Sequence, residues 1–491
     1  MISTRLQDFV KAYDVRGLVP EQLSVAVARA FGAAFAEQIA RPESGQKSAG
    51  VVIGYDMRPS SPELAAAFAQ GVVARGVDAT VIGLCSTDGL YYASGILDLP
   101  GAMFTASHNP AQYNGIKMCR AGAAPISTDT GLAQVRDQAQ DWLDHGEPDP
   151  VSTIGSVSEQ NLLADYAAML RGLVDLSSEA DLGVGRPLKV VVDAGNGMGG
   201  LTVPAVLGTH AGLAPLPLQI VPLYFELDGT FPNHPANPLE PANLVDLQHA
   251  VREHGADIGL AFDGDADRCF VVDERGEPVS ASAVTALVAV REIDRAVQDG
   301  TPAEQIRVVH NLISSLAVPE IIREHGAIPV RTRVGHSFIK SDMADNEAIF
   351  GGEHSAHYYF KDFWYADTGM LAAMHVLSAL RAHDGSLSDL MAGYSRYVPS
   401  GEINSTVADK SAATQRVRSM ALGMDGVVQD SLDGLTFTHE SAPMWWLNVR
   451  GSNTEPLLRL NVEAADESTM TAIRDRALAA IRADDEETGL L

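Results

Sequence analysis

Three times along this chain a short apolar run breaks into a loop of hydroxyl, carboxylate or imidazole side chains. This recurrence constrains the fold more than any other feature. Gly101-Ala-Met-Phe104 opens into Thr105-Ala-Ser-His-Asn-Pro110, and Asp257-Ile-Gly-Leu-Ala-Phe262 opens into Asp263-Gly-Asp-Ala-Asp-Arg268. Glu347-Ala-Ile-Phe350 opens into Gly351-Gly-Glu-His-Ser-Ala-His357. Two further strand candidates precede each run, at 51–58 and 79–84, at 189–197 and 218–224, and at 306–310 and 327–331. Helical stretches lie between them, such as 21–40, 62–75 and 241–254; the last carries Leu244, Leu247 and Val251 on one face, proline at its start and Gly255 past its end. Such alternation implies α/β units with mostly parallel sheets, whose ligands sit beyond the strand ends. Three units in succession imply a triplicated domain. Beyond residues 393–401, read as a hinge, the pattern changes to strands at 434–438, 445–449 and 457–462 and an Ala-rich helix at 468–483. The expected domains are 1–152, 153–276 and 277–395, followed by a smaller α+β domain at 396–491.

At 491 residues the chain is too long for one core. A net charge of -28 disfavours nucleic acid as a partner and makes any local knot of basic side chains informative. Cys85, Cys119 and Cys269 lack metal-type spacing and fit reduced thiols. The start shows no basic-then-apolar leader, and no apolar run approaches the ~20 residues of a membrane span. A cytoplasmic protein without a membrane partner is expected.

Asp263, Asp265 and Asp267 would repel one another unless a cation or protons intervene, and hard oxygen ligands suit Mg²⁺ sharing its shell with a phosphate oxygen. A calcium-binding EF-hand, suggested by Glu274 at the twelfth loop position, fails because Arg268 stands where glycine is needed and strand-like runs flank the loop. Ser107, held at a strand end near His108 and Lys117, suits a nucleophile or phosphoryl carrier, although the same residues also build plain turns. Arg450-Gly-Ser-Asn-Thr-Glu-Pro456, with Arg459 nearby, gathers a guanidinium, two hydroxyls and an amide into an anion cradle, or alternatively a capped helix start. Glu353 with Ser355 suits a grip on vicinal sugar hydroxyls. His336 suits proton transfer near neutral pH, or a structural role.

In order, Thr105–Pro110, Asp263–Arg268, Gly352–His357 and Arg450–Pro456 resemble the motifs of the α-D-phosphohexomutases, specifically the bacterial phosphomannomutase/phosphoglucomutase branch. The resemblance runs from Tyr13 into the last domain. It implies three similar mixed-sheet α/β domains plus a smaller α+β C-terminal domain around a central cleft. It also implies interconversion of hexose 1-phosphate and hexose 6-phosphate through a hexose 1,6-bisphosphate. Ser107 would be the phosphoserine, completing a Mg²⁺ shell with Asp263, Asp265 and Asp267. Glu353 and Ser355 would read the sugar, with His357 beside them, and Arg450, Ser452, Asn453 and Thr454 would hold the phosphate not being transferred. Arg16, Lys117, Arg268 and His336 match positions used for charge stabilisation and proton transfer, and Tyr13 falls in a matched segment. Two departures stand out: Asn311-Leu-Ile-Ser-Ser315 carries no lysine where many relatives have one, and His354 has no assigned role. The Gly-Glu-x-Ser-x-His pattern also suits a phosphoglucosamine mutase, although Thr105 leans toward the hexose branch. An aspartyl phosphatase using Asp263, or a non-catalytic sugar-phosphate sensor, are the rivals from other classes.

Overall fold

The computed structural model describes residues 5–40, 50–176, 186–451 and 457–483, except the side chain of His336. Its strands, numbered in chain order, form four sheets. The first runs β1 (Asp14–Leu18), β5 (Tyr113–Cys119), β4 (Gly101–Phe104), β2 (Val51–Tyr55), β3 (Ala79–Leu84), β6 (Val157–Glu159). The second runs β11 (Pro278–Val279), β10 (Cys269–Asp273), β9 (Ile258–Phe262), β7 (Leu188–Asp193), β8 (Leu218–Leu223). The third runs β13 (Ile328–Thr332), β12 (Arg307–Asn311), β14 (Phe350–Gly352), β15 (Tyr358–Phe360), β16 (Ala366–Asp367).

The centre of each of these sheets is parallel, as expected, with β2 beside β3 and β4, β7 beside β8 and β9, and β12 beside β13 and β14. The expectation of mostly parallel sheets needs correction at one edge. After each polar loop the chain returns antiparallel, β5 on β4, β10 on β9 and β15 on β14. The reason is chain length, because a parallel partner needs a crossover of a dozen or more residues and these loops are shorter. The three polar loops are therefore equivalent hairpin connections, one per domain. In the third, β14 starts later than the 347–350 expected, because Glu347 takes φ 51 in the turn that leaves helix His336–Asp345.

Helix ends follow local chemistry. The expected helix at 21–40 starts at Val25, where the Ser24 hydroxyl accepts from Val27 N, and continues past Phe35 as a π-helical stretch to Ala40. The 241–254 segment opens as a 3₁₀ turn, becomes α-helical at Val245–His254, and stops at Gly255 with φ 54.

The last sheet, β17 (Val398–Thr406), β21 (Leu457–Ala464), β20 (Trp445–Gly451), β19 (Leu435–His439), β18 (Val427–Asp430), is antiparallel throughout. Met470, Ile473, Ala477 and Ile481 form the buried stripe of helix Glu467–Arg482 against it. The segment read as a hinge enters β17 at Val398, and β17 carries a bulge between Pro399 and Glu402.

One apolar core runs through the first three domains, joining Val52, Leu90, Tyr166, Val192, Leu260, Val308 and Met370. The fourth domain has its own, around Phe437, Leu447 and Leu460, and meets the third through a small cluster of Leu312, Ile313 and Trp446. Cys85, Cys119 and Cys269 are buried free thiols. No helix among the described residues is long and apolar enough to cross a membrane.

A single carboxylate ties the first three domains together. Asp88 is fully buried and accepts from the Ser86 hydroxyl, from the Tyr166 hydroxyl at 2.7 Å and from the Thr368 hydroxyl at 2.7 Å. Burial pushes its pKa up to about 6, while these hydroxyl donors pull the other way. Between 3.8 and about 6 the native state holds a proton that the unfolded chain has released, so stability falls as pH rises through that window. Asp88→Ala is expected to cost about 3 kcal/mol, because three buried donors lose their acceptor. Asp88→Asn should flatten the pH dependence, and thermal melting from pH 4 to 7 measures both.

Candidate active site

The serine loop is shaped by backbone carbonyls turned inward. Ser107 sits in the left-handed region at φ 48, is 3% exposed, and its N–H donates to Thr105 Oγ1 at 2.9 Å. Arg58, just past β2 and itself buried, lies inside the loop. Its Nη2 donates to Ser107 O at 2.8 Å and Asn109 O at 2.7 Å, and its Nη1 donates to Pro110 O and Tyr113 O, both at 2.9 Å. Asp56 takes the Nε at 3.2 Å, and the Phe231 ring of the second domain lies 5.1 Å from the guanidinium. Arg16 on β1 grips the same loop, donating to Ala106 O at 2.8 Å and Asn109 Oδ1 at 2.5 Å, with Asp14 as its ion-pair partner. Arg58 carries no functional signal in the sequence, because a lone arginine before proline at a strand end reads as surface charge.

The second polar loop faces the first. Gly264 lies so close that a Cβ there would meet Ser107 O at 2.4 Å. Asp263 and Asp265 are fully buried, Asp267 nearly so, and one oxygen from each lies within 4.8 Å of the others. Ser107 Oγ donates to Asp263 Oδ2 at 2.8 Å, and Arg268 Nε donates to the same oxygen at 2.9 Å. Lys117 on β5 reaches Asp265 Oδ2 at 2.7 Å and Asp267 Oδ2 at 2.5 Å, and the Thr87 hydroxyl donates to Asp265 Oδ2 at 2.6 Å. The remaining oxygens, Asp265 Oδ1 and Asp267 Oδ1, are buried and accept no hydrogen bond among the described residues. Unsatisfied carboxylate oxygens in a cluster of hard donors fit a divalent cation. An EF-hand is excluded by the antiparallel strands on either side of the loop.

Charge is unevenly shared here. Burial pushes the Asp263 carboxyl up to about 7, against the pull of Arg268 and with the repulsion of Asp267 and Asp265. Burial also opposes charge on Asp265, but Lys117 outweighs it and holds that carboxyl well below the usual range. Lys117 is the converse: burial would discharge it, yet Asp265 and Asp267 keep it an ammonium. His108 lies 3.2 Å from Ser107 Oγ and accepts from Arg268 Nη2 at 2.8 Å; burial and then Arg268 keep it neutral.

The third loop closes on the second through a backbone bridge between Arg268 and His357. His357 Nε2 lies 3.9 Å from Asp267 Oδ1, and its Nδ1 lies 3.0 Å from Ser355 Oγ. Glu353 is buried, accepts from the Tyr359 hydroxyl at 2.8 Å and lies 3.4 Å from Asn311 Nδ2. Asn311, in the segment without a lysine, also donates to His354 Nδ1 at 3.1 Å, so it helps orient the side chains of the third loop. Burial raises the Tyr13 hydroxyl, which feels the charges of Asp14, Glu353, Arg16 and Arg459 and so lies where three domains meet. Arg450, at the end of β20, stands apart from the serine–aspartate group and pairs with Glu402. Ser452, Asn453, Thr454 and the His336 side chain lie outside the described residues.

Comparison with known proteins agrees along the whole chain. Residues 7–143, 164–276 and 283–397 match the family domains described as phosphoglucomutase/phosphomannomutase, alpha/beta/alpha domains I, II and III, and 402–480 match its C-terminal domain. The chain is 39% identical over 471 residues to a protein of Xanthomonas campestris pv. campestris named phosphohexose mutases, covering 95% of this chain and 97% of that one. It is 36% identical over 470 residues to a phosphomannomutase of Escherichia coli K12, with the same coverage. A crystal structure of a phosphoglucomutase/phosphomannomutase family protein from Burkholderia thailandensis superimposes with a TM-score of 0.82 at 30% identity, covering 97% of each chain.

If the triad holds a divalent cation, Asp265→Asn and Asp267→Asn should each weaken Mn²⁺ binding, followed by electron paramagnetic resonance, by more than about tenfold. Unchanged binding in both variants would remove the cation from this site.

Proposed function

The chain belongs to the phosphoglucomutase/phosphomannomutase family, and on that premise we propose that it interconverts hexose 1-phosphate and hexose 6-phosphate, with mannose or glucose as the sugar, through phosphorylated Ser107 and a hexose 1,6-bisphosphate. The observation that carries this reading is the position of Ser107 Oγ, 2.8 Å from Asp263 Oδ2 and beside an acidic triad flanked by Lys117 and Arg268. A hydroxyl there can carry a phosphoryl group, and the cations around it can offset the charge that transfer develops.

In the first half-reaction a sugar hydroxyl attacks the phosphorus, the bond from phosphorus to Ser107 Oγ breaks, and the proton of the attacking hydroxyl passes to a base. Mg²⁺ is the cation we assign to Asp263, Asp265 and Asp267, where it would neutralise charge on the phosphoryl oxygens. The sequence offered Lys117 or His336 as base. Lys117, held charged by two carboxylates, is better suited to stabilising phosphoryl charge. Its weight as base passes to the histidines of the third domain, His336 or His357. Arg16 and Arg268 hold the serine loop and Asp263 in register while the charge moves. Glu353 and Ser355 receive sugar hydroxyls, and Arg450, Ser452, Asn453 and Thr454, with Tyr13 nearby, hold the other phosphate. The bisphosphate then turns, and its second phosphate returns to Ser107. The names of the relatives, phosphomannomutase and phosphohexose mutases, support the choice of hexose.

Ser107→Ala should lose more than about a thousandfold of mutase turnover while retaining hexose-phosphate binding, read in a coupled assay and by calorimetry with mannose 1-phosphate. Full activity in that variant ends the proposal. Arg58→Lys, which keeps the charge but loses the fork over four carbonyls, should lower kcat by about a hundredfold with little change in KM, because it displaces Ser107 without touching the sugar.

A further inference from the structure

Two arginines face each other across the last sheet. Arg450 on β20 is the register partner of Arg459 on β21, and like charges placed directly opposite are destabilising unless an anion lies between them. That anion is Glu402. It follows the bulge in β17, and a bulge re-aims the side chain beside it. Its Oε2 accepts from Arg450 Nη2 at 2.5 Å, and its Oε1 lies 3.5 Å from Arg459 Nη1. Burial works against a charge on Glu402, but the two guanidiniums prevail and hold its carboxyl below the usual range. One carboxylate does not satisfy two guanidiniums, however. Arg450 Nε and Arg459 Nε are both buried and find no acceptor among the described residues. The cluster carries an excess positive charge and unused donors, and so remains open to a second anion. His354 of the third domain feels both Glu402 and Arg450; burial lowers its pKa to about 4 and leaves it neutral, so it adds no charge to the cluster at neutral pH.

We propose that Glu402 is an internal anion that occupies Arg450 in the free protein and competes with the phosphate of the substrate for it. The inference rests on the phosphohexomutase reading above and adds what that reading leaves out, namely how the cradle lets go. A phosphate ester carries about -1.5 to -2 charges at neutral pH, and the buried Arg450 together with the part-exposed Arg459 would hold it tightly. A bisphosphate that must turn over between half-reactions needs that grip to be reversible. With Glu402 beside it, Arg450 exchanges one anion for another and never stands uncompensated, so departure of the phosphate does not leave a bare buried charge. Glu402 thereby sets ground-state affinity low enough for the intermediate to leave the cradle and present its other end, which favours turnover over tight binding.

The test is binding of mannose 6-phosphate to the full-length protein by titration calorimetry at low salt, together with kcat and KM. Glu402→Gln keeps the shape and removes the charge. It should tighten binding by about tenfold and lower KM and kcat together, because release slows. Arg450→Gln should weaken binding. If Glu402 instead only orients Arg450, Glu402→Gln will weaken binding as Arg450→Gln does, and that result, or unchanged affinity, overturns the proposal. Should Glu402→Gln fail to fold by thermal melting, Glu402→Asp withdraws the carboxylate by one carbon and should shift affinity in the same direction by a smaller factor; no shift there overturns it equally. A wild-type protein that binds no hexose phosphate would defeat the function proposed above. A wild type that binds and turns over, paired with a variant of unchanged affinity, would defeat the role of Glu402 alone.

Discussion

Three carboxylates buried at one point must be neutralised, and the rest of the structure depends on how that is done. Asp263, Asp265 and Asp267 belong to the second domain, but most of the groups that compensate them do not. Lys117, Thr87 and Ser107 come from the first domain, and the His357 loop comes from the third. Desolvated charge of one sign is tolerated only when opposite charge and donors arrive with good geometry, so the acidic loop requires its neighbouring domains to pack closely. The continuous apolar core through these three domains and the buried Asp88 junction are the packing counterparts of that requirement. The oxygens of Asp265 and Asp267 that no donor among the described residues reaches mark what the side chains leave undone.

The repeat explains why the site has this composition. In each α/β domain a central parallel strand ends in a short polar loop and returns antiparallel, so the loop projects from the same end of the same strand three times. Repetition of one topological position supplies a hydroxyl from one domain, carboxylates from another and a carboxylate, a hydroxyl and imidazoles from the third. The loops are short and flanked by paired strands, so their backbones are anchored at both ends. Arg58 and Arg16 then complete the serine loop by filling its inward carbonyls with guanidinium donors.

The fourth domain obeys a different logic. Its core is its own, and its contact with the third domain is a small apolar cluster with a few polar bonds, such as Leu316 N to Glu463 at 2.9 Å and Arg331 to Asp430 at 2.9 Å. Shallow docking of this kind suits an element that grips and releases a ligand, whereas the deep shared core of the other three suits groups that must hold their mutual geometry.

Much of this is legible in the amino-acid sequence alone. Apolar runs that break into polar loops, helix punctuation such as Gly255, and loops rich in chemically specific residues are local properties, carried by adjacent side chains. They placed the parallel strands, the separate last domain and the residue types of all four loops. Local pattern could not supply the order of strands in each sheet, since which strand lies beside β5, β10 or β15 is decided by packing between segments far apart in the chain. Nor could it show that Arg58 threads a loop 49 residues away, that Asp88 joins Tyr166 and Thr368, or that Glu402 faces Arg450. Ser107 and Asp263 are separated by 156 residues and Lys117 and Asp265 by 148, so their hydrogen bonds exist only once whole domains have packed. The amino-acid order by itself determined which chemical groups the protein carries and on which loops. The tertiary structure decided which groups share a proton or a charge, because those energies depend on distance and burial, which no stretch of contiguous residues encodes.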